Sequence, residues 1–186
     1  MKGPLGWGMV LWIFSWKEDR KVAHPLVEIA KHAVNTYVRE GRVVPPKGVF
    51  TTPAAAFVSL HRNGSLRGCM GTIEPTKPSV EEEVIANAIS AATRDPRFLP
   101  VKVTELEDLH YAVDVLSTPE EINSVAMLDP KEYGVIISFG TRKGVLLPDL
   151  PGIDRPEKQV EIARQKAGIP ENADYRLSRF QVDRYS

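Results

Sequence analysis

Apolar residues recur at helical spacing from Pro25 to Arg39, where Leu26, Ile29, Ala30, Ala33 and Tyr37 fall on one face. Pro25 suits the first turn of that helix and Gly41 its C-terminal stop. Val43 to Thr52 contains Pro45, Pro46 and Gly48 and reads as a loop leading to an edge segment. Ala54–Arg62 and Ser65–Ile73 then read as a hairpin about Asn63-Gly64, a dipeptide suited to a tight turn. Helical spacing returns over Ser79–Thr93, with Val84, Ile85, Ala88, Ile89 and Ala92 as the buried stripe and Ser79 and Glu82 as a capping box. That helix stops before Arg94-Asp95-Pro96-Arg97-Phe98, because Pro96 disfavours helix at Asp95. Tyr111–Leu116 alternates as a strand, and Gly134–Phe139 and Val145–Leu147 read as a hairpin across Gly140–Gly144. Asp154 and Glu157 open a last helix, with Pro156 in its first turn and an end near Gly168. Tyr175–Tyr185 alternates and reads as one closing strand. Hairpins without a sustained strand–helix–strand rhythm predict an α+β fold, a largely antiparallel sheet flanked by helices.

Composition narrows the class. A chain of 186 residues suits one well-packed domain with room for a smaller lobe. The 24 basic and 24 acidic side chains cancel, which argues against a general nucleic-acid binder, since that would carry a basic stripe. One cysteine forms no internal disulfide, so a reducing, cytoplasmic setting is the simplest reading. The four histidines are scattered without zinc spacing, so neither a metal nor a cofactor is expected. Gly3–Trp16 is apolar and holds all three tryptophans, but it runs into Lys17-Glu18-Asp19-Arg20-Lys21 with no small-x-small cleavage site. It is also shorter than the roughly 20 residues of a membrane span. Residues 1–23 therefore read as an N-terminal extension, a disordered added tail or an early start, ahead of a domain over 24–186. A partner-contact segment and a targeting peptide are the alternatives, and no membrane association is expected.

The candidate chemistry concentrates in Ser65-Leu66-Arg67-Gly68-Cys69-Met70-Gly71-Thr72-Ile73. Glycine weakens a strand and marks a bulge or a close approach. A two-residue turn pairs Arg62 with Ser65, Leu60 with Arg67 and Val58 with Cys69, so Arg67 and Cys69 share one face. His61 then points away from Cys69 unless Gly68 or Gly71 supplies a bulge. Arg67 stands roughly 7 Å from Cys69 by strand geometry, where its charge favours the thiolate. A thiol mechanism also needs a base, with His61, His110 or His24 as candidates. Against it stands the plain alternative that a lone cysteine is a small buried hydrophobe. Arg67 with Gly68 and Gly71 could form an anion pocket; the alternative is an arginine paired with a carboxylate at the edge of the core. Asp95-Pro96-Arg97-Phe98 is a second candidate site, or else a helix stop with local hydrogen bonds and Phe98 as a core plug. Glu74, Glu81, Glu82, Glu83 and Asp114 form no convincing acid pair, and the acidic run reads as a solvated face at a helix N-terminus.

The string Leu66-Arg67-Gly68-Cys69-Met70-Gly71-Thr72-Ile73, preceded by Ala56-Phe57-Val58-Ser59-Leu60, resembles the hallmark of the AMMECR domain family, whose pattern Leu-Arg-Gly-Cys-Ile-Gly-Thr it departs from only at Met70. Further resemblance lies in His24-Pro25-Leu26, Ala91–Phe98, Gly144-Val145-Leu146-Leu147-Pro148 and Lys166-Ala167-Gly168, so it covers about His24 to Tyr185. The resemblance implies a mixed α+β domain with a larger and a smaller lobe, a cleft between them and the Arg-Gly-Cys-x-Gly motif on functional surface. It implies kinship with component A of a three-part set whose other members are a Memo-type and a radical-SAM protein. It brings no settled activity. The expectation is an accessory protein that binds a small anionic ligand or one of those partners through Arg67, Gly68, Gly71, Thr72, Asp95 and Arg97. On that reading Cys69→Ser keeps most binding and Arg67→Ala loses it. The competing expectation is a thiol enzyme with Cys69 as nucleophile or covalent carrier.

Overall fold

In the computed structural model, which describes residues 23–186, helix α1 runs over Pro25–Glu40. His24 accepts the Leu26 amide at its start, and Gly41 ends it in the left-handed region at φ 68°. Strands β1 (Ala56–Arg62) and β2 (Ser65–Gly71) turn through Asn63 and Gly64, both at positive φ. Helix α2 (Val80–Thr93) starts at Ser79, whose hydroxyl accepts the Glu82 amide at 3.2 Å, and its expected stripe is buried. Strand β3 is Leu109–Leu116. Strands β4 (Glu120–Ile122), β5 (Gly134–Phe139) and β6 (Arg142–Leu146) follow, then helix α3 (Pro156–Lys166) and strands β7 (Arg176–Phe180) and β8 (Val182–Tyr185).

The strands form two antiparallel sheets, ordered β2-β1-β3-β8 and β4-β7-β5-β6. Alternation in β1 buries Ala56, Val58 and Leu60 against α1 and α2, together with Tyr111 and Val113 of β3. The second sheet builds its own core from Val135, Ile137, Leu146 and Leu177 against Val160 and Ala163 of α3. Phe180, Ile136, Leu116 and Ala55 form a small third cluster, joined by Phe57, Val145 and Leu147.

Three expectations change. The second hairpin turns through Gly140 and Thr141 alone, so its second strand begins at Arg142 rather than Val145. The closing alternation is two strands rather than one. Gln181 breaks it: its amide donates to the Ser117 hydroxyl at 2.9 Å and its carbonyl accepts the Ser117 amide at 3.0 Å. β7 thus lies in one sheet and β8 in the other, a division that unbroken alternation does not reveal. The acidic run of α2 is not a solvated face, since Glu81 and Glu83 are each 1 % exposed. Burial alone would raise the Glu81 pKa, but the amides of Lys47, Val49, Phe50 and Gly48 outweigh it and hold the carboxylate low. Glu83 is likewise held low against its burial, by the Thr72 and Thr76 hydroxyls and the Thr76 and Lys77 amides. These carboxylates pin the loops before and after the β1–β2 hairpin to the start of α2. The expectation for the N-terminal extension falls outside the described residues, apart from Ala23.

Candidate functional site

The β1–β2 hairpin holds a bulge that reassigns the faces of the motif. Arg62 pairs with Ser65 and His61 with Leu66, but Leu60 then pairs with Gly68 and Ser59 with Cys69. Arg67 is the additional residue. The expected pairs Leu60–Arg67 and Val58–Cys69 therefore do not form, and neither glycine supplies the bulge. The one-residue shift moves Cys69 to the face of Phe57, Ser59 and His61, away from the helices. Met70 takes the place expected for Cys69, beside Val58 and against the core of α1 and α2.

Each motif residue then has a distinct environment. A Cβ on Gly68 would overlap the Ala91 carbonyl of α2, and one on Gly71 would overlap the Phe57 ring. The close approach that these glycines permit is thus made by the protein's own helix and ring. The Thr72 hydroxyl donates to Glu83 at 2.7 Å. Arg67 turns to Glu105, with Nε–Oε1 at 2.8 Å and Nη2–Oε2 at 3.1 Å, while Arg62 adds a contact at 3.4 Å. This is the carboxylate-paired alternative for Arg67. Its hydrogen bonds, against partial burial, bring the Glu105 pKa down to about 2.

Asp95 and Arg97 are brought to Cys69 across 26 residues of chain. β2 is an edge strand, and the outward amide of Cys69 donates to Asp95 Oδ2 at 2.9 Å. Its carbonyl accepts Arg97 Nη2 at 3.4 Å. Arg97 also clamps Asp95, with Nη2–Oδ2 at 2.7 Å and Nε–Oδ1 at 3.0 Å. The Arg97 hydrogen bonds, joined by the Cys69 amide and opposed by burial, hold Asp95 well below the ordinary carboxylate range. Phe98 lies under both guanidinium groups, 5.9 Å from Arg67 and 5.5 Å from Arg97. The helix stop and the motif are one structure, a cap on a sheet edge.

Cys69 and Arg97 line a hollow of about 970 Å3; Arg67, Gly68, Gly71, Thr72 and Asp95 do not. One wall is the outward face of the first sheet: Phe57, Ser59, His61, Cys69, Ala112 and Asp114. The other is β6 with the loop that follows it, closed at one side by Lys166. The thiol is half-buried, and its hydrogen-bond partner is the Ser59 hydroxyl at 3.3 Å rather than a histidine or carboxylate. His61 lines the same hollow two residues along from Ser59, whereas His110, its cross-strand neighbour, is exposed and outside it. Among the lining residues Arg184 pairs with Asp114 at 2.7 Å and Lys143 with Glu74 at 2.6 Å. Lys166 instead donates to the Val145 carbonyl at 2.9 Å. Another hollow of about 530 Å3, beside β4 and β7, contains none of the motif residues. Among the described residues no group of three or more histidine, cysteine or acidic side chains could hold a metal ion, and no helix is long and apolar enough to cross a membrane.

The family model AMMECR1 matches residues 27–186. The chain belongs to the AMMECR1 family. A Thermotoga maritima protein is 50 % identical over 169 residues, covering 87 % of this chain and 97 % of that one. A Clostridium acetobutylicum protein is 39 % identical over 176 residues, which are 91 % of this chain but only 37 % of the longer Clostridium chain. The crystal structure of an uncharacterized protein from Pyrococcus horikoshii superposes with a TM-score of 0.79 at 30 % identity, over 86 % of this chain and 88 % of that one. The family carries no known activity with its name. Lys143 and Arg184 line the hollow without being expected at the AMMECR1 site, and Ser59 and Lys166 line it although only the family resemblance points to their segments. A signal for two of the walls was present: Gly144–Pro148 and Lys166–Gly168 are segments of the family resemblance, and they meet the Arg-Gly-Cys motif only across the hollow.

Proposed function

We propose that this AMMECR1 family member is an accessory binding protein whose hollow between the sheets takes an anionic ligand or an anionic part of a partner. The observation that carries this reading is the lining: Lys166, whose ammonium meets only a backbone carbonyl, and Arg97, whose guanidinium is only partly engaged by Asp95, stand around an apolar floor, with Lys143 and Arg184 already paired to Glu74 and Asp114. Arg97 and Lys166, on opposite walls, are the anchors of choice, and Arg97 takes the role first expected of Arg67. Its Nη1 makes no hydrogen bond to the described residues, and its side chain is 55 % exposed. Memo-type and radical-SAM proteins are the partners proposed, from the family resemblance. The longer Clostridium chain is consistent with a domain that works beside other modules. The test is calorimetric titration of the protein with purified Memo-type and radical-SAM partners and with phosphate and tricarboxylates. Arg97→Gln, which retains donors for Asp95, is expected to weaken binding tenfold or more, and Cys69→Ser to change it less than threefold. Unchanged binding in Arg97→Gln would remove the anchor.

The second reading is thiol chemistry, favoured by the position of Cys69 on the hollow beside a hydroxyl. Here Cys69 acts as nucleophile or carrier, and His61 is the base nearest along the same face. It predicts that Cys69→Ser abolishes turnover or adduct formation while ligand binding and the fold persist.

A further inference from the structure

Building on the anion-binding reading, we propose that the hollow receives an extended, acidic peptide segment of a partner protein, which adds as a strand to the free edge of β6. Five consecutive residues, Lys143 to Leu147, line the hollow. Side chains of a strand alternate between faces, so a strand lining a cavity with every residue presents its backbone edge. The ladder agrees. β5 and β6 turn through Gly140 and Thr141, closing on the pair Phe139–Arg142. Hydrogen-bonded pairs alternate from there, so Gly144 and Leu146 bond to β5, whereas Lys143 and Val145 turn their amides and carbonyls outward. The Val145 carbonyl is outward, since it accepts the Lys166 ammonium at 2.9 Å. Among the described residues, no backbone group beyond β5 bonds to the outward groups of Lys143 or Val145.

Charge selects the occupant. Lys166, which meets only a backbone carbonyl, and Lys143, paired with Glu74, flank the edge, and Arg97 and Arg184, paired with Asp95 and Asp114, stand across the hollow. A second copy adding through its own β6 would bring the Lys143 and Lys166 side chains of both copies to one seam, where like charges repel. An acidic strand meets none of that repulsion. Its amide replaces Lys166 at the Val145 carbonyl and frees the ammonium to pair with a carboxylate of the incoming chain. Alternate side chains then face Phe57, Ser59, Cys69 and Ala112 on the opposite wall. Strand addition of this kind draws affinity from main-chain hydrogen bonds and specificity from the pockets met by alternate side chains.

The test uses the full chain and a fluorescent, end-capped heptapeptide of alternating Glu and Val. Binding is read by anisotropy, and hydrogen exchange is followed at the Lys143 and Val145 amides. The expected result is at least tenfold slower exchange at those two amides at saturating peptide. The same peptide N-methylated at alternate residues is expected to bind at least tenfold more weakly. Unchanged exchange at both amides, or equal binding of the methylated peptide, overturns strand addition. Inorganic phosphate is titrated in parallel: phosphate binding that depends on Arg97, without amide protection by peptide, overturns strand addition and leaves the anionic-ligand reading standing. Amide protection that Arg97→Gln and Lys166→Ala leave undiminished supports strand addition and removes the cationic anchors. Protection that grows with protein concentration alone, with dimers in sedimentation, assigns the edge to a second copy and overturns the proposal.

Discussion

Hairpins β1–β2 and β5–β6 share a plan. Each turns through two residues and places its second strand at a sheet edge. Each also has a glycine, Gly68 or Gly144, where a Cβ would overlap a helix carbonyl, that of Ala91 or Ala163. They differ at the outer edge. On β2, Asp95 and Arg97 take both outward groups of Cys69, and a bulge at Arg67 twists the strand further. On β6, Lys166 alone reaches one carbonyl. The motif strand is therefore capped at Cys69, which offers its chemistry only through one face. The other hairpin keeps its backbone available. The two hairpins thus do two jobs: one locks its outer strand, and the other borders the space beside it.

The comparison can be broken or sharpened by substitution. The largest effect is expected from Gly68→Ala and Gly144→Ala, since each sets a methyl group against main chain that has little room to move. Both should cost about 3 kcal/mol or more, read from urea midpoints; a neutral Gly144→Ala would end the likeness of the hairpins. Next comes Asp95→Ala, which leaves the Cys69 amide without its acceptor and should cost about 2–3 kcal/mol. Hydrogen exchange should accelerate at Cys69 and stay unchanged at Gly144. Acid should separate the hairpins in the same sense. Glu105 has a lowered folded pKa, so its contribution is complete above its ordinary value near 4.5 and is lost as pH falls toward about 2. For this nearly buried pair the loss is on the order of 2 kcal/mol, and Arg67→Ala should flatten that part of the stability–pH curve. The smallest effect belongs to Lys166→Ala, whose exposed contact should be worth under about 1 kcal/mol of stability. A large loss there would mean that β6 is as firmly sealed as β2.

What the chain reveals locally and what it leaves to tertiary contacts divide along one line. Turn and cap chemistry at Asn63-Gly64, Ser79 and Gly41 act within four residues, so those boundaries are legible in the sequence. The α+β class and the buried stripes follow from periodicity for the same reason. The bulge at Arg67 carries no local signal: the bulged residue pairs with Glu105, 38 residues away, and the bulge decides which face carries Cys69. The burial of Glu81 and Glu83 is similarly hidden, because their partners, loop amides and for Glu83 also the Thr72 and Thr76 hydroxyls, lie outside the helix that carries them. Short strand β4 lacks enough alternation to stand out, and Gln181 interrupts nothing in the pattern although the chain changes sheets there. The sequence by itself determined the elements, the family and the residues worth attention. Tertiary structure alone decided that Arg67 locks the hairpin, that Arg97 and Cys69 reach the hollow, and that β6 keeps an open edge. A period of two places every residue on one of two faces, and only the packing partner chooses which face meets solvent.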